Sequence, residues 1–331
     1  MTQVQSILPA EQIAAGRAGE IPFLRLPDVR SVFADRARRL RQLAGSHPLG
    51  DYLQFVARIA DAQQALIGAL PPIMPPDAAS LARAQEHRMP PLSAVGYHRD
   101  PLWCDMLRRM LRQLADQTEG GLRDKLVKLE GMRNDYYEAQ ASKLLGGVSL
   151  GLDRAHAPLI AAALQVYWSH LVATLGAESF PPLDVATICP CCGSRPTSSI
   201  ARIGGEFSGY RYLHCSLCAT EWHYVRIKCS NCEATRGIHC YGIENGADAV
   251  KAECCDECGT YRKIFYQDKD PHVDPVADDL ASLALDLLVA EQHGKRLAGV
   301  NFMLIHGEEA EGEEGEDSAP PELVDSSPPP G

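Results

Sequence analysis

ICPCCGS, residues 188–194, places three thiols within four positions. Which of Cys189, Cys191 and Cys192 work together decides how the second half of the chain folds. Eleven of the twelve cysteines lie between residues 189 and 258. Four C-x-x-C pairs can be drawn among them: Cys189/Cys192, Cys215/Cys218, Cys229/Cys232 and Cys255/Cys258. Adding 40 to the first four of these numbers gives the last four. The segment is therefore a tandem repeat of a 40-residue unit, at 189–228 and 229–268. Cys191 shifts to Asn231, Cys240 falls opposite Ile200 and Cys254 corresponds to His214, so none of the three repeats. They and Cys104 are left outside the coordination.

The spacing suits metal binding. A C-x-x-C turn lets two thiolates converge on one ion, with backbone N–H groups available to the sulfurs. Two such turns close a tetrahedral site and leave no open position for water or substrate. Disulfides and redox dithiols are the alternatives, and the repetition argues for metal. Pairing within each unit is favoured over a cross-braced arrangement, because each repeat is complete in itself. Four thiolates suit zinc and also iron of the rubredoxin kind. Cys189-Pro190-Cys191-Cys192-Gly193 has the C-P-x-C-G form of rubredoxins and of many zinc ribbons. His214 and His223 flank the knuckles but do not repeat, which predicts supporting or packing roles. Trp222, Tyr224, Tyr261, Phe265 and Tyr266 are expected to shield these small modules.

Working outward, the first 180 residues read as helices. Tyr52, Phe55, Val56, Ile59, Gln63 and Leu66 recur at spacings of three and four, as do Trp103, Met106, Leu107, Met110 and Leu114, and Leu122, Leu126, Leu129 and Met132. Pro- and Gly-rich breaks separate them at 71–76, 89–101, 120–121 and 146–147. Ala157 to Gly176 carries no formal charge and is about the minimum length for a membrane span. Its Pro158, Gln165, Ser169, His170 and Thr174 favour a buried helix instead. Gly147-Val148-Ser149-Leu150-Gly151 matches the G-x-S-x-G elbow, but no strand is expected before it, so a hydrolase is not predicted. After residue 268 one further helix is predicted. Asp274 is its N-cap, Pro275 its first residue, Asp278 and Asp279 complement its N-terminal end, and Gly294 stops it.

The net charge is −11, but residues 308–331 hold nine acids and no Lys or Arg, which leaves −2 for the rest. That tail is predicted to be disordered. The repeat region holds nine Lys/Arg and nine Asp/Glu. A balanced surface gives no electrostatic reason to expect nucleic acid as a partner. The N-terminus lacks a basic region followed by an apolar one, so no export signal is read, and a reducing compartment favours thiol–metal bonds over disulfides.

CPCCGSRPTSSI, GYRYLHCSLCATEWHYVRIKCSNCE, CDECGTYRKIFY and DPVADDLASLALDLL resemble the formate dehydrogenase accessory proteins of the FdhE type, and residues 33–63 are similar too. The resemblance covers roughly residues 20 to 306. It implies a cytoplasmic maturation factor, not an enzyme, that binds the catalytic subunit of respiratory formate dehydrogenase before twin-arginine export. It also implies two metal ions, iron favoured over zinc. An electron-transfer protein acting on that enzyme is the second reading, and a nucleic-acid-binding zinc ribbon the third. The expected fold is α+β: a helical domain at 1–183, rubredoxin-like four-cysteine modules at 184–228 and 229–271, a C-terminal helical segment at 272–307, and the acidic tail at 308–331. The metal ligands are Cys189, Cys192, Cys215 and Cys218, then Cys229, Cys232, Cys255 and Cys258. No catalytic residue and no membrane insertion are expected.

Overall fold

Apolar stripes at helical spacing fold the first half into a helical layer. The computed structural model describes residues 21–71, 73–203, 209–244 and 246–304. Among these, α1 is Val32–Ala44, α2 Gly50–Ile67, α3 Ala78–Glu86, α4 Leu102–Asp116, α5 Gly120–Glu130, α6 Asn134–Gly146 and α7 Ala157–Leu175. The acidic tail lies outside the described residues. In α2, Val56, Ile59, Gln63 and Leu66 are buried, and in α4 all five stripe residues are. Leu126 and Leu129 of α5 are buried too, but Leu122 is exposed. The whole first turn of α5, residues 120–125, stands in solvent, so its buried stripe is shorter than the periodicity predicts.

Helix α7 is the centre of this layer, packed against α2, α4 and α6. By length and composition it could cross a membrane, yet 72% of its most apolar window is buried inside the protein. Its polar groups find partners there. Gln63 Nε2 donates to Gln165 Oε1 at 3.0 Å, and Trp168 Nε1 donates to the Leu92 carbonyl at 2.9 Å.

The cysteine repeat forms one sheet. Its strands are β1 Leu24–Arg25, β2 Pro196–Ala201, β3 Arg211–Cys215, β4 Glu221–His223, β5 Ile238–Tyr241, β6 Val250–Cys255, β7 Thr260–Tyr266 and β8 Arg296–Leu297. The spatial order is β1-β4-β3-β2-β7-β6-β5, with β8 added to β7. Each 40-residue unit is an antiparallel three-stranded meander. Register repeats with the sequence: Leu213 faces Trp222 in the first unit, and Glu253 faces Arg262 in the second. The units join through a parallel pairing of β2 with β7, Ser199 opposite Ile264. The helical half contributes the edge strand β1, Leu24 opposite Trp222.

Buried and half-buried ion pairs fasten these parts. Arg211 of β3 reaches Glu253 of β6 and donates to the Lys228 carbonyl at 3.0 Å. Arg39 of α1 holds Asp270 at 2.7 Å and Asp278 at 2.6 Å. Lys263 of β7, fully buried, lies 3.0 Å from Asp279 and 2.7 Å from Asp286.

The predicted C-terminal helix is two: α8 Ala277–Leu280 and α9 Leu283–His293. Asp274 accepts from the N–H groups of Val276 and Ala277 at 3.0 and 2.8 Å, and Gly294 stops α9 at φ +60°. Ser282 Oγ donates to the Asp278 carbonyl at 2.7 Å, and His47 Nε2 lies 3.0 Å from the Ala281 carbonyl. These side chains occupy carbonyls that would otherwise carry the helix onward. At the other end α8 begins at Ala277, so Pro275 lies ahead of it and is not its first residue, and Asp278 and Asp279 pair with Arg39 and Lys263.

Candidate metal centre

Each knuckle is a tight backbone turn that the repeat builds four times. The N–H of Gly193 donates to the Cys189 carbonyl at 2.8 Å, and that of Glu233 to the Cys229 carbonyl at 3.0 Å. The Gly259 N–H does the same to Cys255 at 3.1 Å. The residue after the second cysteine must take positive φ. Gly193 stands at +73°, Ala219 at +56°, Glu233 at +65° and Gly259 at +65°. Glycine adopts this conformation freely, whereas alanine and glutamate do not.

The knuckles bring the eight predicted thiols into two groups of four. Cys189, Cys192, Cys215 and Cys218 form one, and Cys229, Cys232, Cys255 and Cys258 the other, with sulfurs in each within 4.8 Å of one another. Pairing is thus within each unit and not across them. The Sγ atoms of Cys192 and Cys215 are 3.4 Å apart, those of Cys189 and Cys218 3.6 Å. In the second group Cys229–Cys258 is 3.8 Å and Cys232–Cys255 3.7 Å. Four sulfurs about 2.3 Å from a tetrahedral ion lie about 3.8 Å from one another. The donor sets therefore fit one thiolate-bound ion each. Cys104, Cys191, Cys240 and Cys254 lie outside both groups.

Polar hydrogens face the sulfurs, where they would spread the negative charge of four thiolates. The N–H groups of Leu217 and Cys218 point at Cys215 Sγ, both at 3.4 Å. Those of Asn231 and Cys232 point at Cys229 Sγ at 3.4 and 3.5 Å. Thr220 Oγ1 sits 3.2 Å from Cys218 Sγ, and Thr260 Oγ1 sits 3.1 Å from Cys258 Sγ. Asn231 Nδ2 donates to Cys258 Sγ at 3.7 Å. Burial raises the Cys258 thiol, but hydrogen bonds from Thr260 and Asn231 outweigh it and hold the group at about 6. Cys218 is likewise held well below the usual thiol range, the surrounding thiols outweighing its burial. The two threonines escaped the reading of the cysteines alone. The signal was present, since Thr220 and Thr260 obey the same 40-residue shift.

The centres differ in their surroundings. The first is sealed, its cysteines at 0, 1, 1 and 0% exposure, and it is part of the core of the helical layer. Leu92 N–H donates to the Cys191 carbonyl at 3.0 Å and Ala94 N–H to the Cys192 carbonyl at 2.8 Å. Gln165 of α7 donates to the Ser216 carbonyl at 2.8 Å. The helical layer thus grips both knuckles of the first unit. In the second centre Cys229 and Cys255 are buried, Cys258 is half-buried and Cys232 is exposed. Among the described residues no backbone N–H reaches the Asn231 or Cys232 carbonyl, the counterparts of Cys191 and Cys192. The second unit packs instead on α9, where Cys254 and Tyr261 meet Leu285 and Val289.

Other sequence candidates fall elsewhere. Ser149 of the G-x-S-x-G match is exposed in the turn between α6 and α7, with no strand before it. His214 is buried beside Glu221, its Nδ1 3.4 Å from the carboxylate, and His223 packs its ring edge-on against Tyr210 and Tyr212. Neither belongs to a sulfur cluster. Trp222, Tyr224, Tyr261 and Phe265 are buried and Tyr266 is half-buried, and Tyr224 OH donates to the Cys229 carbonyl at 2.8 Å.

Comparison with known proteins gives one consistent answer. Three family models match in succession: FdhE, N-terminal at residues 21–184, FdhE, central domain at 188–226 and FdhE, C-terminal domain at 227–304. "Protein FdhE" of Salmonella dublin is 41% identical over 306 residues, which is 91% of this chain and 98% of that protein. "Protein FdhE homolog" of Cronobacter sakazakii matches with the same identity and coverage. The crystal structure of the FdhE protein from Pseudomonas aeruginosa superposes with a TM-score of 0.75 at 39% identity, over 86% of this chain and all of that one.

Proposed function

The chain belongs to the FdhE family, and from that premise we propose that it is a maturation factor for respiratory formate dehydrogenase. It binds the catalytic subunit in the cytoplasm before twin-arginine export and performs no reaction of its own. One observation carries this reading: both clusters offer four thiols to one ion, which fills a tetrahedral shell and leaves no position for substrate. The ions then hold a binding surface in shape. We assign iron to both sites, with zinc as the alternative the same donors accept. Metal analysis and an absorption spectrum of the chain from its own host decide between them. For the function itself, Cys189→Ser with Cys192→Ser should abolish formate dehydrogenase activity in cells and prevent co-purification of the catalytic subunit. Full activity in that variant sinks the proposal.

A second reading has an observation of its own. Cys232 reaches the surface, and an exposed sulfur ligand is a route for electron transfer to an iron centre. A reversible bleaching of the iron spectrum at a physiological potential supports electron transfer, and a native chain holding only zinc ends it.

A further inference from the structure

Two centres with the same four-cysteine ligand set and the same strand register differ most in access. The helical layer covers the first. Leu92 and Ala94 strap Cys191 and Cys192, Gln165 holds Ser216, and all four sulfurs lie in the continuous core. No equivalent strap crosses Asn231 and Cys232 among the described residues, and Cys232 is exposed beside a half-buried Cys258. A buried thiolate can be reached only after the covering backbone opens, whereas a ligand at the surface can be approached from solvent.

We propose that the two centres are unequal: the first holds a permanent structural ion, and the second is an exchange site that yields its ion to a competing chelating ligand by way of Cys232. This rests on the reading of both clusters as metal sites. Exchange proceeds by substitution. The incoming ligand binds the ion as the Cys232 thiolate leaves, and the freed thiolate takes a proton from water, so no oxidant or reductant is needed. Cys229 and Cys255, both buried, retain the ion while the exposed edge is attacked.

The test uses the full chain under anaerobic conditions. Total metal is counted first, then released metal is followed against time in excess EDTA. The expected result is two phases of equal amplitude, about tenfold or more apart in rate, because the sealed site must first open locally. Cys232→Ser should remove the fast phase and leave the slow one. A second measurement on the unaltered chain needs no variant to fold. Timed alkylation with iodoacetamide, read by mass spectrometry, should label Cys232 and Cys258 before Cys189, Cys192, Cys215 and Cys218. Exposed Cys240, outside both groups, serves as the unliganded reference. A single release phase, loss of the slow phase in Cys232→Ser, or equal labelling of the two groups overturns the proposal. A chain that carries no metal before EDTA is added refutes the metal reading itself and takes the proposal with it, so the two failures are separable.

Discussion

Ala219 shows how the repeat exposes strain at a single residue. It occupies the left-handed region at φ +56°, and its counterpart one repeat on is Gly259 at +65°. A β-carbon there crowds the backbone, so Ala219→Gly should stabilise the chain by about 1 kcal/mol. Urea unfolding of the metal-loaded protein measures it, and a loss of stability would show that the turn is not strained. Glu221 makes a second residue-scale case. Burial pushes its carboxyl up, but Arg202, aided by His214, outweighs that and holds the group well below its ordinary 4.5. A lowered folded-state value means that the stabilisation is present above pH 4.5 and fades as pH falls through the folded-state value. Glu221→Gln should therefore cost about 2 kcal/mol at neutral pH. Its deficit relative to the unaltered chain should shrink as the medium is acidified below pH 4.5, in urea midpoints taken at equal metal loading. A pH-independent deficit would assign the loss to packing.

At the scale of elements, the informative junction is β7 against α8 and α9. The spacing DPVADDLASLALDLL predicts one helix, whereas the structure breaks it at Ala281 and Ser282. Both resulting pieces aim acids at β7, Asp279 from α8 and Asp286 from α9, and they converge on Lys263. Tyr261 OH also donates to Asp286 at 2.8 Å. Removing the cation leaves buried Asp279 and half-buried Asp286 without a counter-charge, with the Asn301 amide and the Tyr261 hydroxyl still donating to them. Lys263→Met should cost about 3–5 kcal/mol in unfolding free energy, because an uncompensated buried charge is worse than no pair at all. If the variant unfolds within 1 kcal/mol of the unaltered chain, by the order-of-magnitude scale of ordinary surface substitutions, roughly ±0.5 kcal/mol, the pair is not structural.

For the whole molecule, the deciding feature is that one core spans the helical layer and the first cysteine unit. Cys189, Cys192, Leu213, Trp222 and Tyr224 pack in the same cluster as Trp103, Leu164 and Trp168. Stripping both ions should therefore lower the melting midpoint of the helices themselves, followed by far-UV circular dichroism at 222 nm, a wavelength chosen by convention for helical backbone, and not merely loosen the sheet. An unchanged helical midpoint after chelation would mean that the layers fold independently.

How much of this was legible beforehand follows from the range of each interaction. The eight thiols, their grouping by unit and the matching register of β3–β4 and β6–β7 follow from a 40-residue shift, because identical local spacing builds identical turns and meanders. The stripes of α2 and α4 were equally plain, since periodicity is a local property. The break between α8 and α9 was not, because His47, 234 residues away, takes part in it. The parallel seam of β2 with β7 and the Arg211–Glu253 pair were hidden for the same reason. By itself the sequence determined two centres with the same four-thiol ligand set. Only the tertiary structure made them unequal: the helical layer packs over the first and leaves Cys232 of the second in solvent, and burial depends on what folds against a residue, not on the residues beside it in the chain.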